Sequence, residues 1–348
     1  MKKSRVFTTA IFVALALALS GCATRQSANI DEMSLWSDSA PAKQALKTFI
    51  ASATDPTSAD FIAPEERVAV FDLDGTLFLE TDPTYFDWTL FTHRVLDDAN
   101  FRSLATAEQI AIAKDLREKN KLPGISEHTQ NVAAQIYGGM TLARFRNYVR
   151  VFMRENQPGF TNLKRGEAFY RPMIEVVRML VNKGFTVYVV SGADRFIARA
   201  LSEEMLPLPS RQIIGSDSGV VASGQDSKAP LDYVFATSDE LMLNGKNVVK
   251  NLQMNKTTAI VREIGVTPVL AFGNTMSDAS MLNYTLSNKK HKTLAFMLLC
   301  DDLEREYGNL ERAKDARAQA QKYGWIPVSM KNDWKTIYGE NVVKTRQE

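Results

Sequence analysis

Val70-Phe71-Asp72-Leu73-Asp74-Gly75-Thr76-Leu77 is the segment on which the fold turns. An apolar run, Val68 to Phe71, halts at two carboxylates separated by one residue, and a glycine follows. A short apolar run closed by turn residues reads as a buried strand. Side chains alternate along a strand, so Asp72 and Asp74 point the same way at its end, and Gly75 lets the backbone turn sharply away. A carboxylate nucleophile beside a second carboxylate that handles protons suits phosphate monoesters. These hydrolyse so slowly unaided that a covalent step, splitting the reaction into two easier displacements, brings a large gain. A calcium loop is the other reading of closely spaced aspartates, and it fails because the later ligand positions of such a loop are not filled after Asp74.

On either side, further apolar runs end abruptly in polar residues or glycine: Phe185 to Val190, Gln212 to Ile214, Val269 to Phe272 and Leu294 to Leu299. Helical patterns separate them, at Met173 to Asn182, Phe196 to Met205 and Thr257 to Ile264, and Pro41 to Ala51 reads as a helix before the first strand. Continuous apolar strands alternating with helices predict an α/β fold, a Rossmann-like doubly wound parallel sheet covered on both faces. Ligands bind beyond the carboxyl ends of such strands. Asp72 and Ser191, at the ends of successive strands in this reading, lie about 120 residues apart, whereas a simple crossover needs about 30. The excess predicts an inserted α-helical cap over residues 83–165, with the core formed by 36–82 and 166–348. From Tyr85 to about Arg154 the insertion reads as helical, with Thr141 capping its last helix.

The chain has 348 residues, 45% hydrophobic and 24% charged, enough for a sizeable core. Lysine plus arginine number 42 against 40 acidic residues, which gives no case for nucleic acid as a partner. Lys2, Lys3 and Arg5 precede the apolar run Val6 to Leu19, the pattern of a signal peptide. That run closes on Leu19-Ser20-Gly21-Cys22, which resembles a lipobox. The resemblance implies residues 1–22 as a lipoprotein signal ending at a lipidated Cys22, residues 23–35 as a tether, and membrane attachment through the lipid. Ala23 in place of aspartate implies, by resemblance to enterobacterial sorting, an outer-membrane location facing the periplasm. Cys300, the other cysteine, reads as a buried core thiol, so no disulfide framework is available.

Three more groups carry chemistry. Ser191-Gly192 closes the second strand; Lys246, Lys250 and Lys256 precede the fourth; and Gly273-Asn274-Thr275-Met276-Ser277-Asp278 follows it. With Asp72 and Asp74, these motifs resemble the haloacid dehalogenase superfamily, in its phosphoserine-phosphatase-like branch with a helical cap between the first and second motifs. The resemblance spans about Trp36 to Tyr338. It implies Asp72 as nucleophile and Asp74 as the general acid and base. Ser191, Gly192, Thr76 and Glu80 would bind substrate, Glu80 with an ordinary solvated glutamate as its equal alternative. Lys256, opening a helix before a strand as in related capped hydrolases, would neutralise charge, with Lys250 as runner-up. Mg²⁺ is implied on Asp72, the Asp74 carbonyl, and Asn274 or Asp278. Many relatives carry Asp where this chain has Asn274, so the choice between those two stays open.

His93, His128 and His291 have no zinc spacing. Arg144, Arg146, Arg150 and Arg154 read as a solvated cap face. The function expected is Mg²⁺-dependent hydrolysis of a small phosphorylated substrate through an aspartyl-phosphate. Phosphotransfer by the same intermediate, and a catalytically weak envelope-binding lipoprotein of this fold, remain as alternatives.

Overall fold

Val68, Ala69, Val70 and Phe71 form β1 (Val68–Phe71), buried on both faces in the centre of a seven-stranded sheet. The computed structural model describes residues 33–80 and 85–345; the signal segment, Cys22 and most of the tether lie outside them. The other strands are β2 (Phe160–Thr161), β3 (Thr186–Asp194), β4 (Ile213–Ala222), β5 (Leu241–Val249), β6 (Leu270–Gly273), β7 (Leu294–Leu299), β8 (Ile326–Ser329) and β9 (Val343–Lys344). The sheet runs β5-β4-β3-β1-β6-β7-β8, and β2 pairs with β9 apart from it. Every neighbouring pair in the large sheet is parallel except β4 with β5, which is antiparallel.

The helices are α1 (Pro41–Thr54), α2 (Phe86–Leu96), α3 (Ala107–Lys119), α4 (Glu127–Gln135), α5 (Leu142–Met153), α6 (Arg171–Asn182), α7 (Arg195–Met205), α8 (Met254–Ala259), α9 (Ala279–Leu286), α10 (Leu310–Tyr323) and α11 (Met330–Asp333). Alternation along β1 sends Ala69 and Phe71 into one core and Val68 and Val70 into the other. The first core takes α1, α6 and α7 and is continuous with the inserted helices through Phe86, Leu90, Phe145 and Val149. The second takes α9 and α10 through Met281, Leu282, Ala313 and Ala320. At matched register Phe71, Phe272 and Phe296 stack across β1, β6 and β7, with ring centroids 4.3 and 4.6 Å apart. Each such buried ring contributes roughly 1.5–3 kcal/mol and fixes the register that places the strand tips.

Helices α2 to α5 fill the long interval between β1 and β3. The Thr141 side chain caps α5, accepting from Arg144 N at 3.2 Å, as the sequence predicts. Other details differ. The expected all-parallel sheet gains an antiparallel edge, β5, and β4 runs eight residues beyond Ile214 to pair with it. Strand β3 continues past Val190 to Asp194 through an irregularity in its pairing. The helix expected from Thr257 starts at Met254 and changes to π geometry over Ile260–Ile264. Cys300, expected to be a buried core thiol, is a free thiol just past β7 that packs against the second core while only partly buried.

Candidate active site

Asp72 sits where β1 ends, its backbone N–H donating to the Phe272 carbonyl of β6 at 2.9 Å. Lys256, fully buried on α8, donates from Nζ to Asp72 Oδ1 at 2.5 Å and to Asp278 Oδ1 at 2.6 Å. An unpaired buried ammonium would be very costly; two carboxylates offset that here. The other oxygen of Asp278 accepts from the Asn274 and Thr275 backbone N–H groups at 3.0 and 3.1 Å. Asp278 therefore fixes both Lys256 and the loop after β6.

Burial works against the Lys256 charge, but Asp278 and Asp72 outweigh it and hold the ammonium above its usual range. Burial, with the negative charge of Asp278, pushes the Asp72 carboxyl up to about 7 against the pull of Lys256. Asp74 is held well above the usual carboxylate range, first by burial and then by the charges of Asp87, Asp72 and Glu80. Burial thus raises two neighbouring carboxyls, Asp72 with the Lys256 ammonium already against it and Asp74 with only other carboxylates as its nearest strong influences.

Between Asp74 and the loop after β6, Gly75 takes φ +73°, and a Cβ there would lie 1.8 Å from Asn274 Nδ2. The Asn274 amide nitrogen donates to Glu80 Oε2 at 2.5 Å. Its Oδ1 is buried with no hydrogen-bond partner among the described residues, an arrangement that buried carbonyl oxygens avoid unless water or an ion meets them. Among the described residues no three acidic, histidine or cysteine side chains form a ready-made metal cage. The mixed oxygen set of the Asp72 carboxylate, the Asp74 carbonyl and Asn274 Oδ1 is nonetheless what Mg²⁺, which keeps several waters, requires. Both Asp278 oxygens are engaged by the chain, so of the two expected candidates Asn274 is the one whose oxygen has no partner among the described residues.

A cavity of about 400 Å³ opens on these groups, lined by Asp72, Asp74, Gly192, Lys250, Asn274 and, from the inserted helices and loop, by Trp88, Leu122 and Ile125 among others. Ser191 is fully buried beneath it, its Oγ accepting from Ala193 N at 3.0 Å. Asn251 stitches the second motif to the segment before Lys256. Its Nδ2 donates to the Ser191 carbonyl at 3.0 Å, and its N–H donates to Ser216 Oγ at 2.9 Å.

The haloacid dehalogenase-like hydrolase profile matches residues 69–283, from β1 into α9. The chain belongs to the haloacid dehalogenase-like hydrolase family. No curated protein matches it. Among solved structures, a conserved protein of unknown function from Anaerococcus prevotii is 14% identical, with 82% of this chain and 91% of that one covered and a TM-score of 0.50. A cytosolic 5'-nucleotidase IIIB bound to cytidine is 12% identical, with 83% and 85% covered and a TM-score of 0.48. A substrate-bound phosphoserine phosphatase is 14% identical, with 74% and 98% covered and a TM-score of 0.37. At such identities the first speaks to the shared fold alone, and the other two add nothing to the argument.

In this haloacid dehalogenase-like hydrolase, Asp72, Asp74, Lys256, Asn274 and Asp278 come together as one cluster, with Gly192 on the cavity wall. Lys250, the runner-up, stands apart from Asp72, lines the cavity and makes no ion pair among the described residues. Lys246 lines a neighbouring cavity of about 70 Å³. Thr76 and Ser191 are both fully buried, and neither side chain lines the cavity. Glu80 reaches the wall, but both its oxygens accept from chain donors, Tyr85 Oη at 2.5 Å and Arg312 at 2.9 Å on Oε1 and Asn274 on Oε2. It is therefore neither solvated nor free for substrate. Arg146 and Arg150 pair with Glu203 of α7, so half of the expected solvated face is tied to the core. His93, His128 and His291 approach Asp97, Glu108 and Glu66 respectively, away from the cavity. Tyr85, Asn251 and Arg312 escaped the sequence reading because no motif or apolar period marks them.

Proposed function

We propose that this protein is a Mg²⁺-dependent phosphatase that hydrolyses small phosphate monoesters through an aspartyl-phosphate on Asp72. The observation that carries the reading is the buried Asp72–Lys256–Asp278 chain of contacts, with a second buried carboxyl, Asp74, two residues from Asp72. Asp72 attacks phosphorus while Asp74 gives its proton to the leaving alcohol oxygen. Asp74 then takes a proton from the water that opens the acyl-phosphate. Lys256 offsets the charge on Asp72 and on the transferring group from a dry position, where a fixed cation acts most strongly. Asp72, the Asp74 carbonyl and Asn274 would hold Mg²⁺, which when bound would supply Lewis-acid stabilisation of the phosphoryl oxygens. Ser191 Oγ, accepting from Ala193 N, fixes the Gly192–Ala193 stretch of β3 against which those oxygens would rest. The same reading places the chain on the bacterial envelope through a lipid on Cys22, at the outer membrane facing the periplasm. Its partners are a small phosphorylated substrate and the membrane, without nucleic acid. No described helix is long and apolar enough to cross a membrane.

The test is phosphate release from p-nitrophenyl phosphate and a panel of small phosphomonoesters, with Mg²⁺ or EDTA, beside Asp72→Asn. Metal-dependent release that the variant loses supports the reading. A folded, metal-loaded chain that releases nothing across the panel overturns it in favour of a binding role. For the anchor, Cys22→Ser should move the chain from the membrane to the soluble fraction; an unchanged distribution removes the lipid from the proposal.

A further inference from the structure

We infer that Glu80 is a positioning residue that turns the Asn274 side chain so that its oxygen, and not its amino group, faces the metal position. The inference rests on the metal reading above and extends it to residues outside the ligand set.

A carboxylate accepts hydrogen bonds, whereas an amide side chain donates at one end and accepts at the other. With Nδ2 held against Glu80 Oε2 at 2.5 Å, Oδ1 is directed away from Glu80 and is buried without a partner among the described residues. The flipped amide would set its oxygen against the Glu80 carboxylate and offer an NH₂ group to a cation, both unfavourable. Glu80 is itself held in place: it is 4% exposed, and its Oε1 accepts from Tyr85 Oη and from Arg312 of α10. Gly75 leaves the room for the contact, since a Cβ there would lie 1.8 Å from Asn274 Nδ2 and 2.3 Å from Glu80 Oε2. A carboxylate bonded to the far end of a ligand fixes its orientation and raises its basicity. Glu80 thus restores, at one remove, part of the negative charge that a neutral amide at position 274 lacks.

The experiment is calorimetric titration of Mg²⁺ into the metal-stripped full chain, with thermal melts in EDTA as the control for folding. Glu80→Leu should weaken Mg²⁺ binding roughly 10–100-fold, in the range of such supporting contacts. Glu80→Gln, which keeps one acceptor oxygen and the same shape, should fall between it and the wild type, and it carries the test if the leucine variant does not fold. In the Asn274→Ala background, where the oxygen is gone, Glu80→Gln should have no further effect on Mg²⁺ affinity. Equal affinity of Glu80→Gln and the wild type, or losses that simply add to those of Asn274→Ala, overturns the positioning role while leaving the phosphatase reading intact. A wild-type chain that binds no Mg²⁺ defeats the metal reading and the positioning role with it.

Discussion

The cavity has two walls of different construction. Along the strand tips, Asp72, Lys256, Asn274 and Asp278 each bond to other fixed groups, and Lys256 and Asp278 are wholly buried. Along the inserted segment, Leu122 and Ile125 are 42% and 73% exposed, Trp88 is half-buried, and Lys250, from the segment after β5, faces them without an ion pair among the described residues. One wall is over-determined and the other is loosely held. Chemistry that depends on sub-ångström placement belongs on the first, and selectivity, which changes with the leaving group, belongs on the second.

The contrast can be broken by substitution. On the rigid wall, Asp72→Asn should lower phosphate release roughly 10³-fold or more, measured as single turnovers with Mg²⁺; a residual rate within tenfold of the wild type would remove Asp72 from the nucleophile role. Lys256→Met keeps the bulk of the side chain but leaves Asp72 and Asp278 facing each other in a dry site. Breaking a buried pair of this kind costs about 3–5 kcal/mol, to be read from urea denaturation in EDTA. A loss below about 1 kcal/mol would show that the cluster is not a structural unit. On the loose wall, Trp88→Ala and Lys250→Ala should raise KM a few-fold and leave kcat within about a factor of two, the pattern of lost uniform binding; a matching fall in kcat would move those residues into the chemistry.

The smallest effect should come from Asp194, just behind the second motif. It caps α7 by accepting from Phe196 N and Ile197 N and also accepts from Ser218, while burial raises its carboxyl above the ordinary value. A carboxyl with a raised folded value binds its proton more tightly when folded. Its stabilising effect is therefore complete below the ordinary value near 4 and is lost as pH rises through the raised one. Asp194→Asn keeps the cap. Its melting temperature relative to the wild type should improve as pH rises from about 4 and then level off; the opposite slope would contradict the burial argument.

The division between the walls also separates what the sequence discloses from what it hides. Asp72, Asp74, Ser191, Lys256 and Asn274 are legible because each lies at a fixed offset from a strand tip or helix start, and strands buried on both faces announce themselves as apolar runs. Strand β5 is hidden because Asn244-Gly245 inside it reads as a turn, and it forms through antiparallel pairing with β4. Strand β8 is a short sheet edge containing Pro327. Helix α10 buries only Ala313 and Ala320, too few for an apolar period, so Arg312 and its bond to Glu80 could not be anticipated. Glu80 was visible as a residue near the site, but its role depends on three partners distant in sequence or unmarked by any motif. The cavity wall from the inserted segment has no spacing rule at all, and the substrate is unreadable for that reason.

The most direct measurement is peptide mass spectrometry of the chain after acid quench during turnover of a phosphomonoester with Mg²⁺. The account predicts a phosphoryl group on the peptide that carries Asp72, absent in Asp72→Asn. Phosphate release that proceeds with no label on Asp72 and survives in Asp72→Asn would contradict it.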